Sequence, residues 1–182
     1  MVLLLNNKRR VGFTLIELLV IIGIIGTLVV IAGWQYKRTL NSQTLTNEAL
    51  KISNIIQGER YKSIEQGRRR GIEFKPTDTM RIFSVNADLS LNYETREVLG
   101  KDFTFGNGGI TTPLPLINAV PDQDGIMFGG SGRCEFNPNG MAVKEGAIIF
   151  TSNKFGTAAI VVSPTGIVNA YKWVNNAWAE VR

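Results

Sequence analysis

The sequence predicts an α+β protein in which one long N-terminal helix precedes an antiparallel β domain. Three observations carry that prediction. Residues 13–33 form an apolar run broken by a single charge, Glu17. Beyond Gly33 the composition turns mixed but keeps a helical period, with no proline between Phe13 and Tyr61. From Gly71 onward, short apolar or alternating segments are separated by turn residues, and no helical stripe of useful length interrupts them.

The first element is the apolar run. At ~1.5 Å per residue, residues 13–33 reach ~31 Å, about the hydrocarbon thickness of a bilayer, so the run can span a membrane. Lys8, Arg9 and Arg10 precede it and only Lys37 and Arg38 follow closely, a bias that favours a cytoplasmic N-terminus. Glu17 is the anomaly, since a carboxylate at mid-bilayer costs about 2.5–3.5 kcal/mol and such residues usually have a partner and a job. A cut between Gly12 and Phe13 would place the new α-amine one helical turn before Glu17, whose carboxylate also favours the positive end of the helix dipole. Two competing readings are an ordinary secretory signal cut after Val30-Ile31-Ala32 and an uncleaved signal anchor. The run is longer than the usual apolar region of about 7–15 residues in a secretory signal, and Glu17 interrupts it.

The amphipathic half follows. Leu45, Ala49, Ile52 and Ile56 mark one helix face, Ile55 widens it, and Asn47, Glu48, Lys51, Asn54 and Gln57 hold the remainder. The spacing predicts one helix from about 13 to 66, with Gly67 as its stop. Gly23, Gly26 and Gly33 each weaken it by about 1 kcal/mol relative to alanine. Arg68, Arg69 and Arg70 read as a solvated turn complementing the negative pole of the helix, with contact to nucleic acid or a partner subunit as the competing reading.

Strands are expected at 72–75, 80–85, 93–98, 102–105, 125–128, 133–136, 147–151, 157–162 and 167–174, in an antiparallel meander forming two packed sheets. Asn175-Asn176 suits a two-residue turn, which sets Trp173 opposite Trp178 in a closing hairpin. Residues 101–124, rich in Gly and Pro, read as a long surface loop carrying partner specificity. Asp122 and Asp124 are too few carboxylates for a metal site and read as a hydrated turn.

Composition narrows the chemistry. The 182 residues contain no histidine, so Ser-His and Cys-His nucleophile pairs and His-ligated metals are unavailable. Neither catalytic residues nor a cofactor nor a metal is expected, and the chain is not expected to be an enzyme. The formal charge of +5 falls to +2 if the three leader cations Lys8, Arg9 and Arg10 are removed, which weakens the case for a polyanionic partner. The one cysteine, Cys134, forms no intramolecular disulfide and reads as a small buried residue, an intermolecular bridge being the alternative.

Val11-Gly12-Phe13-Thr14-Leu15-Ile16-Glu17-Leu18-Leu19-Val20 after a short basic leader resembles the class III signal of type IV pilins and type II secretion pseudopilins. The resemblance implies that a prepilin peptidase cuts after Gly12, that the amine of Phe13 is methylated, and that Glu17 pairs with the amine of a neighbouring subunit during assembly. Downstream, Phe136-Asn137-Pro138-Asn139-Gly140, Ala147-Ile148-Ile149-Phe150 and the run from Ala159 through Ser163-Pro164-Thr165-Gly166 to Val168 are similar to the C-terminal signature of minor pseudopilin H and FimT-like minor pilins (the GspH/FimT-like group). Some FimT-like proteins bind DNA through arginines after the last Ser-Pro-Thr-Gly turn. Here Ile167, Val168, Asn169 and Ala170 stand there instead.

The resemblance thus implies a leader at 1–12, a transmembrane assembly helix at 13–40, an amphipathic half-helix at 41–66 and a β-rich domain at 67–182. It implies a pilin-like subunit of a type II secretion pseudopilus or type IV pilus, at or near the tip, single-pass in the bacterial inner membrane with its C-terminal domain periplasmic or extracellular. Its partners would be other pilins, the peptidase and the inner membrane, with DNA possible but not favoured.

Overall fold

A computed structural model describes residues 14–181, apart from the side chains of residues 32–35 and 38. Helix α1 runs Leu15–Gln66 and is followed by nine strands: β1 Arg70–Lys75, β2 Thr79–Val85, β3 Leu91–Val98, β4 Thr104–Phe105, β5 Arg133–Phe136, β6 Gly146–Ser152, β7 Gly156–Val162, β8 Val168–Val174 and β9 Ala177–Glu180. The chain is α+β. It divides into two bodies, one ending at Leu40 and the other running from Asn41 to Arg182.

In the first body the helix begins at a defined cap. Thr14 Oγ1 accepts the Glu17 N–H at 3.3 Å, and the Leu18 N–H bonds the Thr14 carbonyl at 3.2 Å. From Leu15 to Ile31 the large apolar side chains are exposed, between 41% at Ile21 and 85% at Leu15. Such a surface is stable only against lipid or other apolar chains. Among the described residues no helix is long and apolar enough to cross a membrane. The described stretch, Leu15 to Ile31, rises ~26 Å against a hydrocarbon core of ~30 Å. The expected span continues into Ala32 and Gly33, whose side chains lie outside the described residues.

In the second body the helical stripe packs as its spacing requires. Leu45, Ala49, Ile52 and Ile56 are all buried, and the stripe continues at the same period into Glu59 and Ser63, which are buried too. Gly67 then takes φ +60° and donates to the Ile64 carbonyl, ending the helix.

The strands form two antiparallel sheets, in the orders β3-β2-β1-β5 and β4-β6-β7-β8-β9. One core gathers the helix stripe, Ile72, Phe74, Met80, Ile82, Cys134 and Phe136 of the first sheet, and Ile148, Phe150, Ala158, Ile160, Val162 and Ala170 of the second. A second cluster lies on the other face of the second sheet, where Leu114, with Ile117 beside it, covers Ala147, Ile149, Ala159, Val161 and Tyr171. Residues 101–124 are mostly exposed, but Leu114 is 1% exposed and anchors the segment as a roof on the sheet. The physical reason is that β6 and β7 are apolar on both faces and need cover on both.

The strand expected at 125–128 reduces to one bridge, Ile126 to Ile148. Gly125 sits at φ +71°, and a Cβ there would run into the Ile149 carbonyl, so the backbone turns rather than extends. The closing hairpin forms as its turn residues predict. Asn175 and Asn176 take φ +51° and +59°, Trp173 faces Trp178, and the rings meet edge-to-face at 5.1 Å.

Candidate functional site

Two places in the chain carry unusual charge: the N-terminal turn of α1 and the far end of the same helix. At the N-terminal turn, Gly12 and Phe13 lie outside the described residues. Glu17 is exposed at the third helical position, three residues after Thr14. A Thr-x-x-Glu start satisfies orphan backbone donors and puts negative charge at the positive pole. The sequence reading missed this capping geometry, although the spacing was its signal. The cap itself is Thr14 bonding the Glu17 backbone N–H, and the Glu17 carboxylate adds its charge at the positive pole of the helix.

At the far end, Arg68 is exposed in the turn after the helix, Arg69 is half-buried and Arg70 is buried. Arg70 opens β1 and its side chain is 2% exposed. Its Nε donates to Glu59 Oε2 at 2.8 Å, and its two terminal nitrogens grip the two oxygens of Glu94, the first at 2.8 Å, while the first also reaches Gln66 Oε1 at 3.0 Å. A planar fork matched to a carboxylate in this way is the strongest ordinary side-chain pairing. Glu59 also receives Lys62 Nζ at 2.8 Å. Arg69 pairs with Glu135 at 2.7 Å, and Arg68 with Gln66 at 2.9 Å and, more loosely, with Glu94 at 3.7 Å. The Arg70 hydrogen bonds hold the Glu94 carboxyl below its usual range, and the Glu94 and Glu59 carboxylates raise Arg70 against the opposing effect of burial.

The backbone explains how Glu94 gets there. Phe83 faces Tyr93 and Ile82 faces Thr95, so Glu94 is the extra residue of a bulge. Bulges re-aim side chains, and this one turns Glu94 onto Arg70. The result clamps the helix end, β1 and β3 together. Glu59 gave a sequence signal, since it falls on the apolar stripe; the bulge at Glu94 gave none.

A second network lies across the outer face of the first sheet. Glu73, 3% exposed, accepts Arg133 at 3.0 Å and Tyr93 Oη at 3.1 Å, and Lys75 stands 3.3 Å away. Burial would raise the Glu73 carboxyl, but these donors outweigh it and hold it low. Cys134 is fully buried, and burial pushes its thiol well above the ordinary range, so it has the character of a packing residue. Asp124 accepts the Ile126 N–H at 3.0 Å and the Asp122 carbonyl accepts Gly125, a local turn; among the described residues no cluster of ligating side chains could hold a metal ion.

Residues 7–33 match the model of the prokaryotic N-terminal methylation motif. The chain carries that motif. The chain is similar in structure to the minor pseudopilin EpsH from the type 2 secretion system of Vibrio cholerae, at 10% identity and TM-score 0.49, over 70% of this chain and 96% of that one. It is also similar to the type IV minor pilin FimU of Pseudomonas aeruginosa PAO1, at 16% identity and TM-score 0.48, over 75% and 93%. A second EpsH structure gives 9% identity and TM-score 0.49, over 71% and 94%. No curated protein sequence matches.

Proposed function

We propose that this chain is a minor pilin or pseudopilin, a structural subunit rather than an enzyme. A prepilin peptidase cuts its precursor between Gly12 and Phe13, the Phe13 amine is methylated, and the subunit joins the tip region of a type II secretion pseudopilus or type IV pilus. The observation that carries this reading is the methylation motif at residues 7–33, which takes in the start of a helix that exposes only apolar side chains apart from Glu17 and small residues for its first turns. Before assembly the apolar run sits in the inner membrane with the leader in the cytoplasm; afterwards it packs against the same run of other pilins. Glu17 then neutralises the methylated amine of a neighbour, because either charge left alone in an apolar helical core costs several kcal/mol.

DNA is the less favoured partner. Arg69 and Arg70 are already held by Glu135, Glu59 and Glu94, and phosphate contacts would have to compete with those carboxylates.

Substituting Glu17→Gln tests the assembly role apart from the capping role, because glutamine also serves at the third helical position while losing the charge. The variant should be cut and inserted like the parent but crosslink poorly to its partner pilins. Crosslinking at the parental level would remove Glu17 from the assembly mechanism.

A further inference from the structure

Next to the buried clamp a cavity of about 490 Å³ opens to the surface, lined by Arg68, Arg69, Val85, Ala87, Leu89 and Pro138. Its volume is in the range that accepts side chains or small ligands. Two arginines and Asn86 supply its polar wall and Val85, Ala87, Leu89 and Pro138 an apolar one, with no carboxylate among the lining residues. Leu89 is 73% exposed at that rim. Arg69 Nε is buried without a hydrogen-bond acceptor. The ion pairs beside the cavity join four cations, Lys62, Arg68, Arg69 and Arg70, to three carboxylates, Glu59, Glu94 and Glu135, one cation in excess, while the exposed Asp88 stands between the lining residues Ala87 and Leu89.

The same sign continues along the sheet. Cross-strand register lines up Arg133, Glu73, Arg81 and Arg96 over β5, β1, β2 and β3, three guanidiniums to one carboxylate. Glu73 is already taken by Arg133, Tyr93 and Lys75, whereas Arg81 and Arg96 are exposed, Arg81 lying over the Tyr93 ring and Arg96 donating to Thr79 Oγ1 at 3.1 Å. Val85 of the cavity and Arg81 of the row lie on one strand, ~13 Å apart at strand rise. An extended segment of about six residues reaches both.

We propose that the cavity and this row form a docking surface for a partner protein, whose contacting segment carries an apolar side chain for the Leu89 rim followed by carboxylates for Arg81 and Arg96, the two arginines of the surface that no carboxylate already holds. The surface lies wholly in the second body, so it does not depend on the assembly reading of the N-terminal helix. Acidic residues give the complex its steering and register, and the apolar residue supplies the desolvated anchor.

The test uses the full chain purified in detergent micelles and a fluorescein-labelled peptide, acetyl-Leu-Glu-Leu-Asp-Glu-Asp-amide, followed by fluorescence anisotropy at two salt concentrations. The parent should bind it in a saturable, salt-sensitive manner. Leu89→Asp and the double variant Arg81→Gln/Arg96→Gln should each weaken binding at least tenfold, and Lys172→Gln on the other sheet should not change it. All four positions lie outside the buried clamp, and a circular-dichroism melt of each variant matching the parent's establishes that it folds. Replacing both leucines of the peptide by serine should also cost at least tenfold. Equal binding of the serine peptide, insensitivity to the variants, or no saturation at millimolar peptide overturns the proposal. Tighter binding of a 20-base-pair duplex that displaces the peptide overturns it in favour of nucleic acid.

Discussion

Replacing Arg70 by alanine should be among the most damaging single changes in the β-domain body. The guanidinium is 2% exposed and serves Glu59, itself 2% exposed, together with Glu94 and Gln66. Removing it strands Glu59 in the interior with only Lys62, and turns the bulged Glu94 out to solvent. Breaking a buried pair from one side costs about 3–5 kcal/mol, chiefly through the charge left behind. For a body of this size that lowers the melting temperature by about 10 °C. Arg70→Lys should recover little, because a single ammonium cannot reproduce the two-pronged grip on Glu94. The companion Glu59→Gln/Arg70→Met removes both buried charges and should regain at least half of the loss. Thermal melts of the full chain followed by circular dichroism, with urea titration for the free energies, give the comparison. A drop under 2 °C for Arg70→Ala, or a double variant no more stable than the single, would refute the clamp as the structure draws it.

Other outcomes follow from the same geometry. Glu73 and Glu94 have folded-state carboxyls below the unfolded value, so the stability they add is fully present above about pH 4.5 and is lost as pH falls through their lowered values; acid melts should show this loss, with the Glu94 share absent in Arg70→Ala. Leu114→Ala opens a void between the 101–124 segment and the second sheet and should cost about 2–5 kcal/mol, read by urea unfolding; a change under 1 kcal/mol would mean that the roof contributes little. Gly12 to a bulky residue should leave the precursor at full length on immunoblots, since the expected peptidase meets no side chain at that position in the parent.

How far the sequence discloses this structure depends on whether neighbours in space are neighbours in pattern. Leu45, Ala49, Ile52 and Ile56 are buried together because they share one helical face, and Trp173 meets Trp178 because Asn175 and Asn176 accept positive φ. Both relations are local. Arg70 and Glu59 are eleven residues apart across a helix end, and charged residues are by default solvated, so a triple arginine reads as a turn. The clue was Glu59 and Ser63 falling on an otherwise apolar stripe. Glu94 depends on a bulge that no residue type announces. The roofing role of Leu114 was written in the partner rather than the loop, since Ala147-Ile148-Ile149-Phe150 and Ala158-Ala159-Ile160-Val161-Val162 have no polar face to offer water. At the candidate assembly site, Glu17 was visible as the lone charge in an apolar run, whereas its place after a Thr14 cap came from the structure.

The account turns on what happens at the Gly12-Phe13 bond. Intact-protein and peptide mass spectrometry of the chain recovered from the membranes of a cell expressing prepilin peptidase reads this directly. The predicted result is a mature N-terminus at Phe13 bearing one methyl group, in Glu17→Gln as in the parent. An N-terminus at Gly33, or a full-length chain that keeps Lys8, Arg9 and Arg10, would contradict it.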